Sequence, residues 1–394
     1  SRQRYWGTPI PVVHCQGCGP VPVPEADLPV LLPHLPDYQP RGDGRSPLAN
    51  LPDFVDTTCP TCGGPARRET DTMGGFACSS WYFLRFADPC YQAGPFNPEA
   101  VRRWLPVDLY VGGAEHAVMH LLYARFWTKV LADAGLIGFR EPFPRLRSQG
   151  IVHASDGKRM SKSRGNVVTP DEVVERYGAD TLRVYLLFIA PFDHNVIWDE
   201  EGIVGSERFL HRVWRICQGA AEQQSREMDG EPAAEDALRR VMHKTIRRVT
   251  DDVPAFKFNT ALAAMMEWVN TLGAHLEEHG ATPAFQEATG VLIRLLAPFV
   301  PHIAEELWSR REGDSSVHQQ PWPAYDPALT ADETVTLIVQ VNGKVRDRIA
   351  VPSGVADGEA RLLALASPRV QACLTGRPPR QVIVVPGRLV NVVV

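Results

Sequence analysis

Two groups of residues in this sequence have the types and spacing that do chemistry. Cys15-Gln16-Gly17-Cys18 and Cys59-Pro60-Thr61-Cys62 are CxxC pairs, each followed by a glycine, Gly19 and Gly63. Two residues between cysteines let both thiolates turn into one tetrahedral site, and two such pairs complete a four-sulfur sphere for Zn2+. Its role would be structural, because four protein ligands leave no open position. Disulfides are the alternative, and a relict site that holds metal weakly is a third. Cys78, Cys90, Cys217 and Cys373 lack such spacing and read as core residues. The second group is 157–166, where Lys158, Arg159, Lys162 and Arg164 stand with Ser161 and Ser163 between Gly157 and Gly165. Cations and hydroxyls on a glycine-bordered loop suit a triphosphate, whose oxygens gain charge as pyrophosphate leaves. There is no Walker A pattern. By composition alone this stretch would be an exposed basic loop.

The elements that must position these groups follow from pattern. Residues 1–70 are rich in Pro and Gly, and the pieces between Val12 and Asp56 should be short strands and turns. A helix-like stretch opens at Ser79-Ser80-Trp81-Tyr82-Phe83. Val107-Asp108-Leu109-Tyr110-Val111 is a buried-strand candidate, and Gly112-Gly113 turns it into a helix expected over about 115–131. A strand, glycine turn and helix presents backbone and helix-start groups to a ligand. By their own pattern Phe76 and Tyr82 read as core, and His116 with His120 as an i,i+4 metal pair, although no HExxH occurs.

Thr169 and Pro170 should start a further helix, with Asp171 and Glu172 in its first turn. Apolar residues then recur at helical period over about 206–311, for example Leu262, Met265, Met266 and Val269, which predicts a helix bundle. After a linker at 321–327, Thr334 to Val341 reads as a strand and Asn342-Gly343 as a hairpin turn. A short helix over 359–365 and β structure over 381–394 complete a small α+β module.

The 394 residues are 44% hydrophobic and carry net charge -5, which suits two or three globular units and excludes a globally basic nucleic-acid binder. Local exceptions exist. Residues 335–394 hold eight Lys or Arg against three Asp or Glu, and Arg239, Arg240, Lys244, Arg247 and Arg248 repeat at helical spacing, a pattern that a solvated face also explains. No apolar run has the length of a membrane span. The start has no Met and no leader, so it reads as cut into; with the metal-type cysteines this favours a cytoplasmic setting.

The string Lys158-Arg159-Met160-Ser161-Lys162-Ser163 resembles the KMSKS signature of class I aminoacyl-tRNA synthetases. Arg159 stands where the signature has its first lysine, with Lys158 one place upstream. Arginine keeps the charge but changes the fork geometry. The resemblance is to the leucyl-tRNA synthetases in particular, and it covers essentially the whole chain in the family's order. Residues 1–11 look like the peptide that resumes the catalytic domain after the editing insertion. Asp71-Thr72-Met73, together with Ser79-Ser80-Trp81-Tyr82-Phe83-Leu84-Arg85-Phe86, looks like the substrate-pocket segment. Val111-Gly112-Gly113-Ala114-Glu115-His116-Ala117 and His120 to Phe126 look like the adenosine segment. Asn342-Gly343-Lys344 and the last residues, 389–394, look like the terminal module.

That resemblance implies an α/β fold: the second half of a Rossmann-like catalytic domain over 1–205, with a zinc knuckle at 12–70. It implies a helical tRNA-binding bundle of the anticodon-binding type at 206–325 and a basic α+β module touching tRNA at 334–394. It implies ATP-dependent activation of leucine, with Mg2+ accompanying ATP, and transfer to tRNA(Leu). Lys162 would be the main transition-state cation, helped by Arg159, Lys158, Ser161 and Ser163. Gly112, Gly113, Glu115, His116 and Met160 would hold the nucleotide, with Glu115 on the ribose. Phe76, Ser79, Tyr82 and His116 would shape the leucine pocket, and Cys15, Cys18, Cys59 and Cys62 would hold zinc. The family's HIGH-like motif and editing domain do not occur here, so a missing N-terminal half, in the same or a second chain, is expected as a partner. A non-catalytic tRNA-binding fragment or an isoleucyl or valyl relative are the rival readings.

Overall fold

In the computed structural model, which describes residues 2–39, 42, 44–223, 231–313, 315–331, 334–374 and 376–394, the chain forms two units. The first comprises Ser1–Ile151 and Asp193–Asn195, the second Val152–Phe192 and Val196–Val394.

The first unit opens with an antiparallel sheet of β1 (Val12–Cys15), β2 (Gly19–Pro22), β3 (Asp56–Thr58) and β4 (Pro65–Arg68), in the order β2-β1-β4-β3. Val13, Cys15, Val21, Val23, Cys59 and Ala66 are its small core. The Pro-rich excursion between β2 and β3 carries two 3-10 turns and α1 (Pro52–Val55). The first residues wrap around Thr72, whose fully buried hydroxyl donates to the Trp6 carbonyl at 3.0 Å. Then come α2 (Gly75–Ser79), α3 (Tyr82–Phe86) and α4 (Pro98–Trp104), the last capped by Asn97.

Parallel strands β5 (Tyr110–Gly113) and β6 (Leu146–Gln149) flank α5 (His120–Asp133). The strand expected at 107–111 starts later. Pro106 has no N–H to give a ladder, and the Val107 N–H goes to the Pro142 carbonyl. The helix expected over 115–131 is also broken. A 3-10 turn covers Ala114–Val118, Met119 leaves helical geometry at φ -122° and ψ -104°, and α5 begins at His120. His116 and His120 therefore do not share one continuous helix. On α5, Leu121, Ala124 and Thr128 are buried, whereas Leu122, Phe126 and Val130 form an exposed apolar stripe at i, i+4, i+8.

In the second unit β7 (Val152–His153) and β8 (Val196–Ile197) pair in parallel, and α6 (Pro170–Tyr177) and α7 (Ala179–Phe188) follow the 157–166 loop. Thr169 caps α6, as its sequence requires. The bundle is α8 (Glu200–Gln223), α9 (Pro232–Asp252), α10 (Phe258–His279), α11 (Pro283–Leu296) and α12 (Pro301–Glu312). Its core is centred on Trp268, Phe285 and Phe299. Prolines at the first turn of α9, α11 and α12 set the starts, where a missing N–H costs nothing. The segment after the bundle is tied to α9: Trp322 Nε1 donates to Thr250, the Asp326 N–H to His243 Nδ1, and Arg247 to Thr330 in α13 (Pro327–Thr330).

The last module is a sheet of β9 (Thr334–Val341), β10 (Lys344–Pro352), β11 (Gln381–Val385) and β12 (Leu389–Val393), in the order β10-β9-β12-β11. Two helices cover it, α14 (Asp357–Ala366) and α15 (Pro368–Leu374), where one was expected. Ser367-Pro368 restarts the helix: the Ser367 hydroxyl accepts the Val370 N–H, and Pro368 is fitted to a first helical position.

Candidate functional site

Four thiols meet where the ends of β1 and β3 carry their turns. The Sγ atoms of Cys15, Cys18, Cys59 and Cys62 all lie within 4.8 Å of one another, with Cys15 and Cys59 buried and Cys18 and Cys62 exposed. Cys15 and Cys62 are 3.6 Å apart. Tetrahedral Zn2+ with bonds of about 2.3 Å needs sulfur–sulfur edges of about 3.8 Å, so the donor set fits zinc. Gly19 and Gly63, both at φ +73°, make the left-handed turns that bring each second cysteine back. The backbone N–H of Cys62 pulls the Cys59 thiol down to about 7, whereas hydrogen bonding to Cys62 and burial push Cys18 up to about 12, so without a metal the four thiols share protons and Cys59 is the first to give its own up.

A ring of aromatic and imidazole groups lies beside the glycine turn. Phe76 on α2 meets His116 edge-on at 6.3 Å and Tyr123 at 6.1 Å. Tyr82 on α3 stacks on His120 at 5.9 Å. The Tyr82 hydroxyl is 2.7 Å from that of Tyr110 on β5, which in turn is 2.9 Å from His120 Nε2. Burial pushes the Tyr110 hydroxyl well above the ordinary tyrosine range, with the Tyr82 bond adding to it. Burial likewise holds His120 below its ordinary value, with His116 as the second cause. Both groups are therefore neutral near pH 7. Among the described residues, His116 Nδ1 is buried with no hydrogen-bond partner, a donor or acceptor left for something else. Ser79 closes α2 three residues after Phe76, on the same helix face, and is exposed. Gly113 is required by contact: a Cβ there would lie 2.3 Å from the Glu115 carboxylate.

Of this group, the sequence singled out Phe76, Tyr82 and His116, which the structure brings together, and gave no sign of Tyr110 and His120 as their partners. Tyr110 read only as a strand residue. His120 carried a signal, its spacing from His116, but it pointed to metal.

The 157–166 loop belongs to the second unit. Its base is fixed by a bridge between His153 and Arg159 and by the Lys158 N–H bonded to Asp156. Met160 is the loop's anchor, packed against Val173, Leu182, Tyr185, Trp198 and Ile203. Asn166 accepts the Ser161 N–H at 2.9 Å, and the Ser161 and Ser163 hydroxyls are 2.9 Å apart. A 3-10 turn over Lys162–Arg164 ends at Gly165, φ +67°. Lys158, Arg159, Lys162 and Arg164 are all exposed. Four cations on a short loop with a half-buried anchor can address several phosphate oxygens at once.

The basic run on α9 is partly spent within the fold. Arg239 pairs with Glu235 at 3.1 Å and Arg248 with Asp252 at 2.8 Å. Lys244, Arg247 and Arg248 still line a groove of about 440 Å3 beside α10. Among the described residues, no helix is long and apolar enough to cross a membrane.

Known proteins resemble the chain along its whole length. Residues 69–199 match the family model described as tRNA synthetases class I (I, L, M and V), and residues 235–359 match the anticodon-binding domain of tRNA ligase. A leucine–tRNA ligase of Dehalococcoides mccartyi is 51% identical over 396 residues, covering 100% of this chain and 48% of its own length. One from Rubrobacter xylanophilus is 53% identical over 394 residues, covering 100% of this chain and 47% of its own. A LeuRS of Agrobacterium radiobacter, solved in a ternary complex with tRNA and LeuAMS, superimposes with a TM-score of 0.82 at 39% identity, over 99% of this chain and 50% of that one. The chain spans about half the length of the curated relatives it matches, and over that span it matches the leucine–tRNA ligases of the class I tRNA synthetases.

Proposed function

We propose that the chain supplies the second half of the active site of an ATP-dependent leucine–tRNA ligase. The carboxylate of leucine attacks the α-phosphorus of ATP, pyrophosphate leaves, and the terminal adenosine of tRNA(Leu) then takes the leucyl group from AMP. The observation that carries this reading is the coexistence of an anchored, four-cation loop with a cluster of aromatic and imidazole rings beside a glycine turn. An RNA-binding fragment could use the cationic loop on phosphates but has no use for the aromatic cluster.

In this reading Lys162 holds the charge that develops on the phosphates, and Arg159, Lys158, Ser161 and Ser163 assist. Gly112 and Gly113 admit the nucleotide, Glu115 holds its ribose, and Met160 keeps the loop seated. Phe76, Ser79, Tyr82 and His116 enclose the leucine side chain. Mg2+ would accompany ATP and neutralise its phosphates. Zn2+ at the four cysteines would tie the two turns of the first sheet and supply no chemistry, and its thiolates suit a cytoplasmic setting. Residues 1–205 act as the catalytic half, 206–325 as the tRNA-positioning bundle and 334–394 as the basic module on the RNA. The phosphate-binding histidines come from an N-terminal half, in the same chain or a second one.

The test is leucine-dependent exchange of pyrophosphate into ATP. It is run on this chain, on the chain joined to its upstream half, and on the joined form with Lys162→Ala. Exchange confined to the joined form and lost by roughly 10²- to 10³-fold with Lys162→Ala is the expected result. A folded joined form that exchanges nothing but binds tRNA would leave only the RNA-binding reading.

A further inference from the structure

Helix α7 is held by charge at both ends of the turn between α11 and α12. Asp180, 5% exposed, accepts the Ile303 N–H at 2.7 Å and the His302 N–H at 3.5 Å, the second and third residues of α12. The natural capping position there is Val300, which has no polar side chain, so the His302 N–H is capped by a residue 122 positions away from it. One turn along α7, Arg183 donates to the Phe299 carbonyl at 2.9 Å and the Pro298 carbonyl at 2.7 Å, just past the end of α11. An anion thus meets a helix N-terminus and a cation meets the carbonyls leaving a helix C-terminus, each the favourable sign.

The same helix reaches the 157–166 loop. Leu182 and Tyr185 sit in the cluster that seats Met160, while Val184 sits in the core of the bundle. The Tyr185 hydroxyl accepts the Asp199 N–H at 2.8 Å, the Trp198 N–H bonds the His153 carbonyl at 2.8 Å, and His153 bridges Arg159. A continuous line of bonds and packing therefore runs from the α11–α12 turn through α7 to the base of the loop.

We propose that Asp180 and Arg183 are positioning residues for the activation step: they lock α7 to the bundle and thereby fix where the loop presents Lys162. This rests on the reading of the loop as the phosphate-handling element. Contiguity becomes coupling only if the two ends share an energy, and a double-mutant cycle measures that.

The cycle is made in the full-length joined enzyme with Asp180→Ala, Lys162→Ala and the pair, reading pyrophosphate exchange per active site titrated by its adenylate burst. Titration removes any loss caused by fewer folded molecules, which is what a merely structural role would produce. Asp180→Ala is expected to lower the rate per site roughly tenfold to a hundredfold with leucine KM unchanged, and to cost little further once Lys162 is gone. Asp180→Asn, which keeps one acceptor oxygen, is expected to recover part of the loss. Should Asp180→Ala fold poorly, Arg183→Gln at an exposed position removes the two carbonyl bonds without touching the core, and the same pattern is expected. An unchanged rate per site, or losses that multiply independently, overturns the proposal while leaving the loop's role standing. A Lys162→Ala enzyme that exchanges normally overturns both.

Discussion

The hydroxyls of Tyr82 and Tyr110 lie 2.7 Å apart, and Tyr110 continues the chain to His120 Nε2 at 2.9 Å. A wall residue of the proposed leucine pocket is thus held by a strand residue and a helix residue, and the tyrosine ring is fixed in direction as well as in place. Tyr110→Phe keeps the packing against Phe143, whose ring stacks at 3.9 Å, and removes only the relay. A buried hydrogen bond is worth about 0.5–1.5 kcal/mol, so leucine KM in the exchange assay should rise roughly two- to tenfold while ATP KM stays put. An unchanged leucine KM would detach the relay from the pocket.

Gly113 permits a carboxylate where any other side chain would displace it. With its φ at -65°, Gly113→Ala strains nothing in the backbone, and the added methyl meets only the movable end of Glu115. Thermal stability should hold, and ATP KM should rise roughly tenfold or more, the worth of a hydrogen bond to a charged group. Unchanged ATP binding would remove Glu115 from the ribose.

Acid should destabilise the fold through its buried imidazoles. His120 and His275 are both held below the ordinary 6.5, in each case chiefly by burial. The unfolded chain takes the proton near 6.5 and the folded chain only at lower pH. The stability is therefore whole above 6.5 and declines as pH falls from there toward the folded values. Melting temperatures between pH 7.5 and 5.5 should fall with acid, and His120→Gln and His275→Gln should each flatten the slope. Slopes indifferent to both substitutions would assign the effect elsewhere.

The cysteine cluster should carry one zinc per chain, released by a chelator or by Cys59→Ser. Its sheet has a core of six small or medium residues, too little to hold itself without the metal. Proteolysis should then cut within 12–70, whereas the bundle's melting should be untouched. Metal analysis showing no zinc in a protein purified under reducing conditions would refute this.

Legibility in the sequence followed the range of the interaction. The hairpin at Asn342-Gly343 was readable because both residues sit at positive φ, 48° and 76°, a need met locally by those two residue types. The four cysteines were readable because ligand spacing is itself local. Thr169 announced α6 for the same reason. What escaped were partners far apart in the chain: the parallel pairing of β12 with β9, the Tyr82, Tyr110 and His120 relay, and the cap that Asp180 gives α12. Each depends on which surfaces meet, and one residue's type and neighbours do not encode that. The broken helix at Met119 and the restart at Pro368 lie between these cases, local events with only the proline visible beforehand.

The stripe of Leu122, Phe126 and Val130 bears on how such a chain fares in a cell. These residues are 56%, 64% and 40% exposed, on the side of α5 away from Leu121 and Ala124. A contiguous apolar face of this kind is what chaperones hold and what drives unassembled chains into aggregates. Yield would then be governed by how long the face stays bare during synthesis, and equilibrium stability would matter less. Expressed by itself the chain should partition into the insoluble fraction, and Leu122→Glu with Phe126→Lys should return it to the soluble one without moving its melting transition.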